Sequence, residues 1–284
     1  MNLLVSQPTS NSLKGFKSKP SHALIIVGPT GSGKLALAQQ LAADLLEINF
    51  EDLQKQAYLK HISPADAKSI SIETIRELEH FLSLKVPGKK SVNRLIIIED
   101  SHLMGAEAQN ALLKILEEPP EGTVLILTAG DAQSLLPTIR SRSQVIDVIP
   151  PELSLATDHF TKDGYSAPEI KQAISISGGL PGLMTALLSD TEHPLRLATE
   201  KARQLLSQNS YERLVNIDEL AKNPALANDT LFILQQMARM SLQTAEGPAA
   251  NRWQRVLKAS YRAQEALSES AQAKLVLIEL MLAL

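Results

Sequence analysis

A glycine-rich loop between an apolar run and an amphipathic segment constrains this chain more than any other part of its sequence. The loop begins the segment "GPTGSGKLAL" at residues 28–37, which follows "HALIIV" at 22–27, and Leu and Ala then recur at helical spacing through residue 46. Strand, loop and helix in this order are the context in which G-x-x-x-x-G-K binds phosphate. The sequence therefore predicts an α/β domain built around a P-loop.

In a P-loop, backbone N–H groups and the positive end of the following helix surround the β-phosphate, and a lysine reaches the β- and γ-oxygens. The residues expected to bind nucleotide are Gly28, Pro29, Thr30, Gly31, Ser32, Gly33, Lys34 and Leu35. ATP or ADP is the expected ligand. Leu35 stands where a Ser or Thr hydroxyl would coordinate Mg²⁺, so Mg²⁺ coordination is in doubt.

Continuous apolar runs recur across the first 150 residues and are typical of central strands in a parallel sheet. Strands are predicted at 22–27, 94–100, 123–128 and 143–149, and helices at 35–46, 71–84 and 106–118. Ser71 is the expected N-cap of its helix. The strand pattern stops at Pro150 and Pro151.

The remaining chain is helical in period, with a break expected at Gly178 and Gly179. We predict three domains: a P-loop domain at 1–150, a small helical domain at 151–190, and a larger helical domain at 191–284.

Composition excludes several classes of protein. The 284 residues are 44% hydrophobic and contain no cysteine, which excludes disulfides and thiolate zinc sites, and the six histidines are scattered without ligand spacing. A net charge of −3 argues against autonomous nucleic-acid binding. No signal-like start or long uncharged apolar stretch occurs, so we expect a cytoplasmic protein that does not enter a membrane.

Glu99 and Asp100 end the predicted strand at 94–100. A carboxylate pair beside a P-loop holds Mg²⁺ through water and polarises the attacking water, in the usual order Asp then Glu. The reversed order here displaces each carboxylate by about one methylene, which matters in a site that depends on close placement. The residues alone leave a catalytic pair and a plain acidic strand end equally open.

Four segments together resemble the delta prime subunits of bacterial DNA polymerase III clamp loaders, within the AAA+ class. They are "SHALIIVGPTGSGK" (21–34), "SIETIREL" (71–78), "NALLKILEEPP" (110–120) and "LLPTIRSRS" (135–143). The resemblance implies a P-loop domain with a central parallel sheet, a small helical lid, and a C-terminal helical collar that joins five subunits in a ring. The implied partners are tau/gamma and delta subunits, the sliding clamp, and primer–template DNA contacted through the complex.

The resemblance also implies a role for Arg142, which matches the family's arginine finger that reaches a neighbouring subunit's ATP. Other positions depart from the family: Ser143 replaces a cysteine, Ala129 stands where the ATPase relatives place a sensor threonine, and "GGLPG" at 178–182 lacks the lid arginine. The family's four-cysteine zinc module is also missing.

Three functions are consistent with these features. The first is a non-hydrolysing stator that donates Arg142 in trans, with no ATPase activity of its own. The second is an active ATPase resembling the tau/gamma motor subunits, with Mg²⁺ held by other groups. The third is a binding adaptor whose fold is stabilised by bound nucleotide and that has no role in ATP hydrolysis.

Overall fold

A computed structural model describes residues 3–64, 69–84, 86, 91–189, 193–215, 217–269 and 271–284. The chain divides into two compact units, Met1–Pro151 and Glu152–Leu284. Across the part of the chain described, no helix combines the length and apolar character that crossing a bilayer requires.

The first unit is an α/β domain around a parallel sheet. Its helices are α1 (Gln7–Ser18), α2 (Lys34–Leu46), α3 (Ile72–Ser83), α4 (Ala106–Glu117) and the short α5 (Pro137–Arg140). Its strands are β1 (Ala23–Val27), β2 (Leu59–Ile62), β3 (Arg94–Ile98), β4 (Thr123–Ala129) and β5 (Gln144–Asp147). All pairings are parallel, in the order β2-β3-β4-β1-β5.

Helices cover both faces of this sheet. Because successive side chains of a strand point to opposite faces, Ile25 of β1 packs in one core cluster with residues of α3 and α4, whereas Leu24 and Ile26 pack in another with residues of α1 and α2. Strands β1, β3 and β4 are buried along their whole length. This burial on both faces explains their continuous apolar sequences and confirms the predicted parallel sheet.

The predicted strands and helices of this unit are confirmed to within a few residues at their ends. Ser71 is confirmed as an N-cap, because its hydroxyl accepts the Thr74 N–H. Sequence analysis missed β2 and α1. β2 lies at the sheet edge and only Ile62 in it is fully buried, and α1 buries only Thr9 and Phe16, so neither has a strong apolar pattern.

The second unit is helical in all the elements described. These are α6 (Leu153–Lys162), α7 (Ala167–Ser177), α8 (Pro181–Leu188), α9 (Pro194–Ser207), α10 (Ser210–Val215), α11 (Ile217–Lys222), α12 (Pro224–Leu242), α13 (Gly247–Ser268) and α14 (Ala273–Ala283). One core cluster runs from Leu183 of α8 to Leu234 of α12 and Leu277 of α14.

The predicted helix break is confirmed, because Gly178 ends α7 in the left-handed conformation (φ 63°) that glycine adopts without steric cost. The predicted boundary near residue 190 falls at 190–192, outside the described residues. The division of this unit into a lid and a collar stays a prediction.

Thr9 anchors α1 to the end of β5. Its Oγ1 donates to the Asp147 carbonyl (3.1 Å) and accepts the Ile149 N–H (3.0 Å), at 1% exposure. It also accepts the Ser6 hydroxyl (3.1 Å). A buried hydroxyl with two backbone partners stabilises more than a surface cap does, because its loss leaves backbone groups unpaired.

We expect Thr9→Val to lower the free energy of unfolding by about 1–3 kcal/mol, because the Asp147 carbonyl and the Ile149 N–H lose their partner inside the protein. Urea denaturation of the whole chain, followed by circular dichroism, measures the change. Ser12→Ala, on the exposed face of the same helix, is the matched control and should change little. Equal stability of the two variants would contradict this account of how α1 is attached.

Candidate functional site

Backbone hydrogen bonds anchor the start of the P-loop to the sheet and close the loop on itself. The Gly28 N–H donates to the Ala129 carbonyl at the end of β4 (3.1 Å), and the Ser32 N–H donates to the Pro29 carbonyl (3.1 Å). Gly31 and Gly33 have φ values of 78° and 85°, which glycine reaches at no steric cost. The chain therefore adopts a tight loop that leads directly into α2.

The inner surface of the loop suits a phosphate group. A Cβ at Gly28 would lie 2.9 Å from Ser32 Oγ and 3.1 Å from Val148 Cβ, so any other residue there would require these side chains to shift. Ser32 Oγ is buried and has no hydrogen-bond partner among the described residues. The first N–H groups of a helix have no partner within the helix, so the start of α2 supplies further donors. These groups fit the anion-binding role predicted for residues 28–34.

Lys34 is the first residue of α2 and is 8% exposed. Its ammonium donates to the Pro29 carbonyl within the same loop (3.2 Å). Burial lowers the pKa of Lys34, and the negative charges of Asp100 and Glu99 partly offset this. The lysine charge thus lies close to the acidic pair, and a bound phosphate would favour its protonated form in the same way.

Leu35 does not fit a Mg²⁺ site. Its partly buried side chain packs against the core cluster that α2 shares with Leu24 and Ile26, and a hydrocarbon side chain offers no oxygen to a hard cation. The loop therefore fits the phosphates of a nucleotide but lacks the usual protein ligand for the metal ion.

The acidic pair follows β3, where both residues contact neighbouring strands. Glu99 Oε2 lies 3.4 Å from Nε2 of His61 on β2. Asp100 has a left-handed backbone (φ 46°), and its N–H donates to Oγ1 of Thr128 (3.0 Å). Ser101 Oγ then donates to the Thr128 carbonyl (2.8 Å). The sheet therefore fixes the Asp100 backbone and gives the Glu99 carboxylate a partner on β2, close enough to Lys34 for both acidic residues to affect its pKa.

Sequence reasoning missed the parts that His61, Ser101 and Thr128 play here. Thr128 is 1% exposed and its hydroxyl already accepts the Asp100 N–H. Ala129, the next residue, is buried and pairs with Val27 of β1. Position 129 has no hydrogen-bonding side chain, and the neighbouring hydroxyl holds the turn after β3.

His102 lies in the same cluster. Burial lowers the pKa of this histidine, nearby Asp100 opposes the effect, and the positive charge of Lys34 adds to it. Its ordinary pKa is about 6.5, so the lowered value keeps the imidazole neutral at pH 7. No group of three or more acidic or histidine side chains among the described residues is arranged to hold a metal ion.

Arg142 contacts residues of α4 and α5. Its Nη2 donates to Glu117 Oε1 at the end of α4 (2.8 Å), and its Nη1 donates to the Thr138 carbonyl of α5 (3.2 Å). The side chain is 37% exposed. Two hydrogen bonds therefore orient the guanidinium, and its other N–H groups have no acceptor in the part of the chain that the structure describes.

A buried amide fixes the segment that carries Arg142. Gln109 of α4 donates from Nε2 to the Met104 carbonyl (3.0 Å) and accepts the Leu136 N–H on Oε1 (2.8 Å). Ile139 of α5 is fully buried in the same core cluster as Leu116 of α4. α4 and α5 are thus joined by a polar bridge and by apolar packing, which places Glu117 beside Arg142.

Comparison with known proteins shows which family the chain matches. Residues 7–152 match the family described as "DNA polymerase III, delta subunit". The chain is 31% identical over 186 residues to the DNA polymerase III subunit delta' of Pseudomonas aeruginosa, covering 59% of this chain and 56% of that protein. It is 32% identical over 162 residues to the subunit delta' of Bacillus subtilis, covering 53% of this chain and 49% of that protein. The matched region spans about half the length of these relatives.

Comparison with solved structures finds a similar fold over nearly the whole chain. A DNA polymerase III gamma subunit-related protein from Thermotoga maritima superposes with a TM-score of 0.57 over 97% of this chain and 98% of that one, at 18% sequence identity. At this identity the likeness concerns the fold. It agrees with the AAA+ architecture of a parallel α/β domain followed by helices.

We expect Gln109→Leu to lower the free energy of unfolding by about 1–3 kcal/mol, because the partly buried Leu136 N–H and the Met104 carbonyl lose their shared partner. Asn110→Ala removes the next amide, which is exposed, and should have a much smaller effect. Urea denaturation of both variants tests this. If Gln109→Leu is as stable as the unchanged protein, the bridge does not fix the Arg142 segment.

Proposed function

Because the chain belongs to the family described as DNA polymerase III, delta subunit, we propose that it acts as a clamp-loader subunit in DNA replication. In this proposal it is a stator: it hydrolyses no ATP itself and donates Arg142 to the ATP site of a neighbouring ATPase subunit. It thereby takes part in loading the sliding clamp onto primed DNA.

The observation that carries the proposal is the state of Arg142. The guanidinium is partly exposed and is ordered by Glu117 and by the Thr138 carbonyl. An arginine is always charged at physiological pH and forks onto phosphate oxygens without a cofactor. A residue in this state is suited to stabilise charge that develops on a phosphoryl group bound elsewhere.

The chain's own P-loop supports the part of the proposal that concerns the absence of ATP hydrolysis. Leu35 packs against the core and supplies no Mg²⁺ ligand. The Thr128 hydroxyl is engaged with the Asp100 N–H, and Glu99 lies beside His61. Phosphoryl transfer depends on metal ions that neutralise charge on the β- and γ-oxygens, so we expect no ATPase activity from the chain alone.

The proposed partners are tau/gamma and delta subunits in a five-membered ring, the sliding clamp, and primer–template DNA reached through the complex. The exposed face of α4 is the proposed DNA-facing surface. Lys114 is exposed on this helix, but with one cation on the helix and a net charge of −3, we expect the partners to supply most of the phosphate contacts.

We expect Arg142→Ala to leave folding and ring assembly unchanged and to lower DNA-dependent ATPase activity of the reconstituted complex. An arginine supplied in trans is worth about 10³ to 10⁵ in turnover at the site that it serves. Steady-state phosphate release measures the loss, and size-exclusion chromatography checks assembly.

Arg76→Ala, an exposed arginine on α3 of the same unit, is the matched control and should leave turnover unchanged. Arg142→Lys should recover little activity, because an ammonium does not reproduce the planar fork. Unchanged turnover in Arg142→Ala would refute the stator proposal. Phosphate release by the chain alone, lost in Lys34→Ala, would favour the ATPase alternative.

The P-loop geometry further supports nucleotide binding without Mg²⁺ chemistry. We expect ADP to raise the melting temperature of the chain equally in EDTA and in Mg²⁺, because backbone N–H groups and Lys34 bind phosphate without a metal ion. Binding stabilises by about 2.7 kcal/mol at one hundred times Kd. Differential scanning fluorimetry measures the shift.

Lys34→Ala should abolish this shift, whereas Lys14→Ala, which removes an exposed lysine of α1, should preserve it. Leu35→Thr should make the shift larger in Mg²⁺ than in EDTA. A shift that already requires Mg²⁺ in the unchanged protein would mean that other groups hold the ion, against the argument from Leu35.

A further inference from the structure

We propose that Glu117 is a positioning residue, which orients Arg142 for its action on a neighbouring subunit's ATP. This inference rests on the proposed function of Arg142. It assigns to the end of α4 a role in catalysis that does not involve contact between Glu117 and the nucleotide.

The geometry that carries the inference is the pair of contacts made by one guanidinium. Nη2 of Arg142 donates to Oε1 of Glu117 at 2.8 Å, a normal length for a charge-assisted hydrogen bond. Nη1 donates to the Thr138 carbonyl at 3.2 Å. Two acceptors on different elements define the plane of the guanidinium, and among the described residues its remaining N–H groups have no acceptor, which leaves them for an acceptor outside the chain.

Both acceptors lie on elements that the core holds in place. Ile115 and Leu116 precede Glu117 on α4 and are buried, and Ile139 follows Thr138 on α5 and is also buried, all in one cluster. The Ser143 hydroxyl donates to the Ile139 carbonyl (2.9 Å) and ties down the residue after Arg142. The orientation of the arginine is therefore fixed relative to the buried core of the domain.

The ion pair contributes little to the stability of the fold. Its two side chains are 37% and 52% exposed, and pairs in such positions are weakened by solvent and salt. A carboxylate in the last turn of a helix also opposes the helix dipole. What Glu117 provides is order, because a free arginine side chain populates many rotamers and would have to be immobilised in the transition state.

A weak pair also leaves the arginine able to respond to ATP. A nucleotide carries several negative charges, so its phosphate oxygens attract the guanidinium. The exposed carboxylate of Glu117 competes only weakly with them. Glu117 could instead restrain Arg142 and delay its transfer to the phosphate. That alternative predicts the opposite change in turnover, so the same experiment distinguishes the two.

The experiment uses the full reconstituted clamp-loader complex with primed DNA and ATP. We expect Glu117→Ala to lower kcat by roughly tenfold, the scale set by releasing an arginine's rotamer freedom, with KM for ATP nearly unchanged. Such a split indicates loss of an interaction realised only in the transition state. Glu117→Gln keeps an acceptor oxygen at the same position and should restore most of kcat.

Two controls separate positioning from other effects. Glu118→Ala removes the neighbouring exposed carboxylate, which does not accept the Arg142 hydrogen bond, and should leave kcat unchanged. The double variant Glu117→Ala with Arg142→Ala should be as slow as Arg142→Ala alone, because Glu117 acts only through the arginine. Glu117→Ala should melt at the same temperature as the unchanged chain.

The outcomes are distinguishable. If Arg142→Ala lowers turnover but Glu117→Ala does not, the positioning role is overturned and the proposed function stands. If Glu117→Ala raises kcat, Glu117 restrains the arginine and the inference is also overturned. If the two losses add in the double variant, Glu117 acts by a separate route. If Arg142→Ala itself has no effect, both proposals fail.

Discussion

The parallel pairing of β1 with β4 is the constraint on which the P-loop and the acidic turn both depend. Val27 pairs with Ala129 at the end of this ladder, and the Gly28 N–H extends it by one more hydrogen bond. One residue earlier, the Thr128 side chain accepts the Asp100 N–H. A single strand end therefore sets where the loop begins and where the turn after β3 lies, as expected where parallel strands end together at one edge of a sheet.

The contacts around the P-loop are the reason why we propose that the chemistry of this chain lies at Arg142 on its surface. Lys34 donates to its own loop, Glu99 lies beside His61, and Leu35 belongs to the apolar core. We therefore propose that this site binds an anion without catalysing phosphoryl transfer, because Leu35 offers no ligand to a metal ion. Arg142 has the opposite character, since it is charged, ordered and partly exposed.

The fold was largely predictable where burial was complete. Strands fully covered by helices must be apolar at every position, so "ALIIV" and "LIII" were recognisable as strands from sequence. β2 was not recognisable, because an edge strand with exposed His61 has no such run. α1 was missed because its attachment depends on Thr9, whose partners Asp147 and Ile149 are distant in sequence.

The sequence by itself determined the P-loop, the identity of Leu35 and the acidic pair, because these follow from residue type and local spacing. The candidate Arg142 came from the resemblance of four segments to a known family. Only the tertiary structure decided what each group contacts. Thr128 is a partner of Asp100, and Glu117 is the acceptor for Arg142, 25 residues away along the chain. The physical reason is that hydrogen bonds between elements depend on how the sheet and helices pack, and packing at long sequence separation leaves no local pattern.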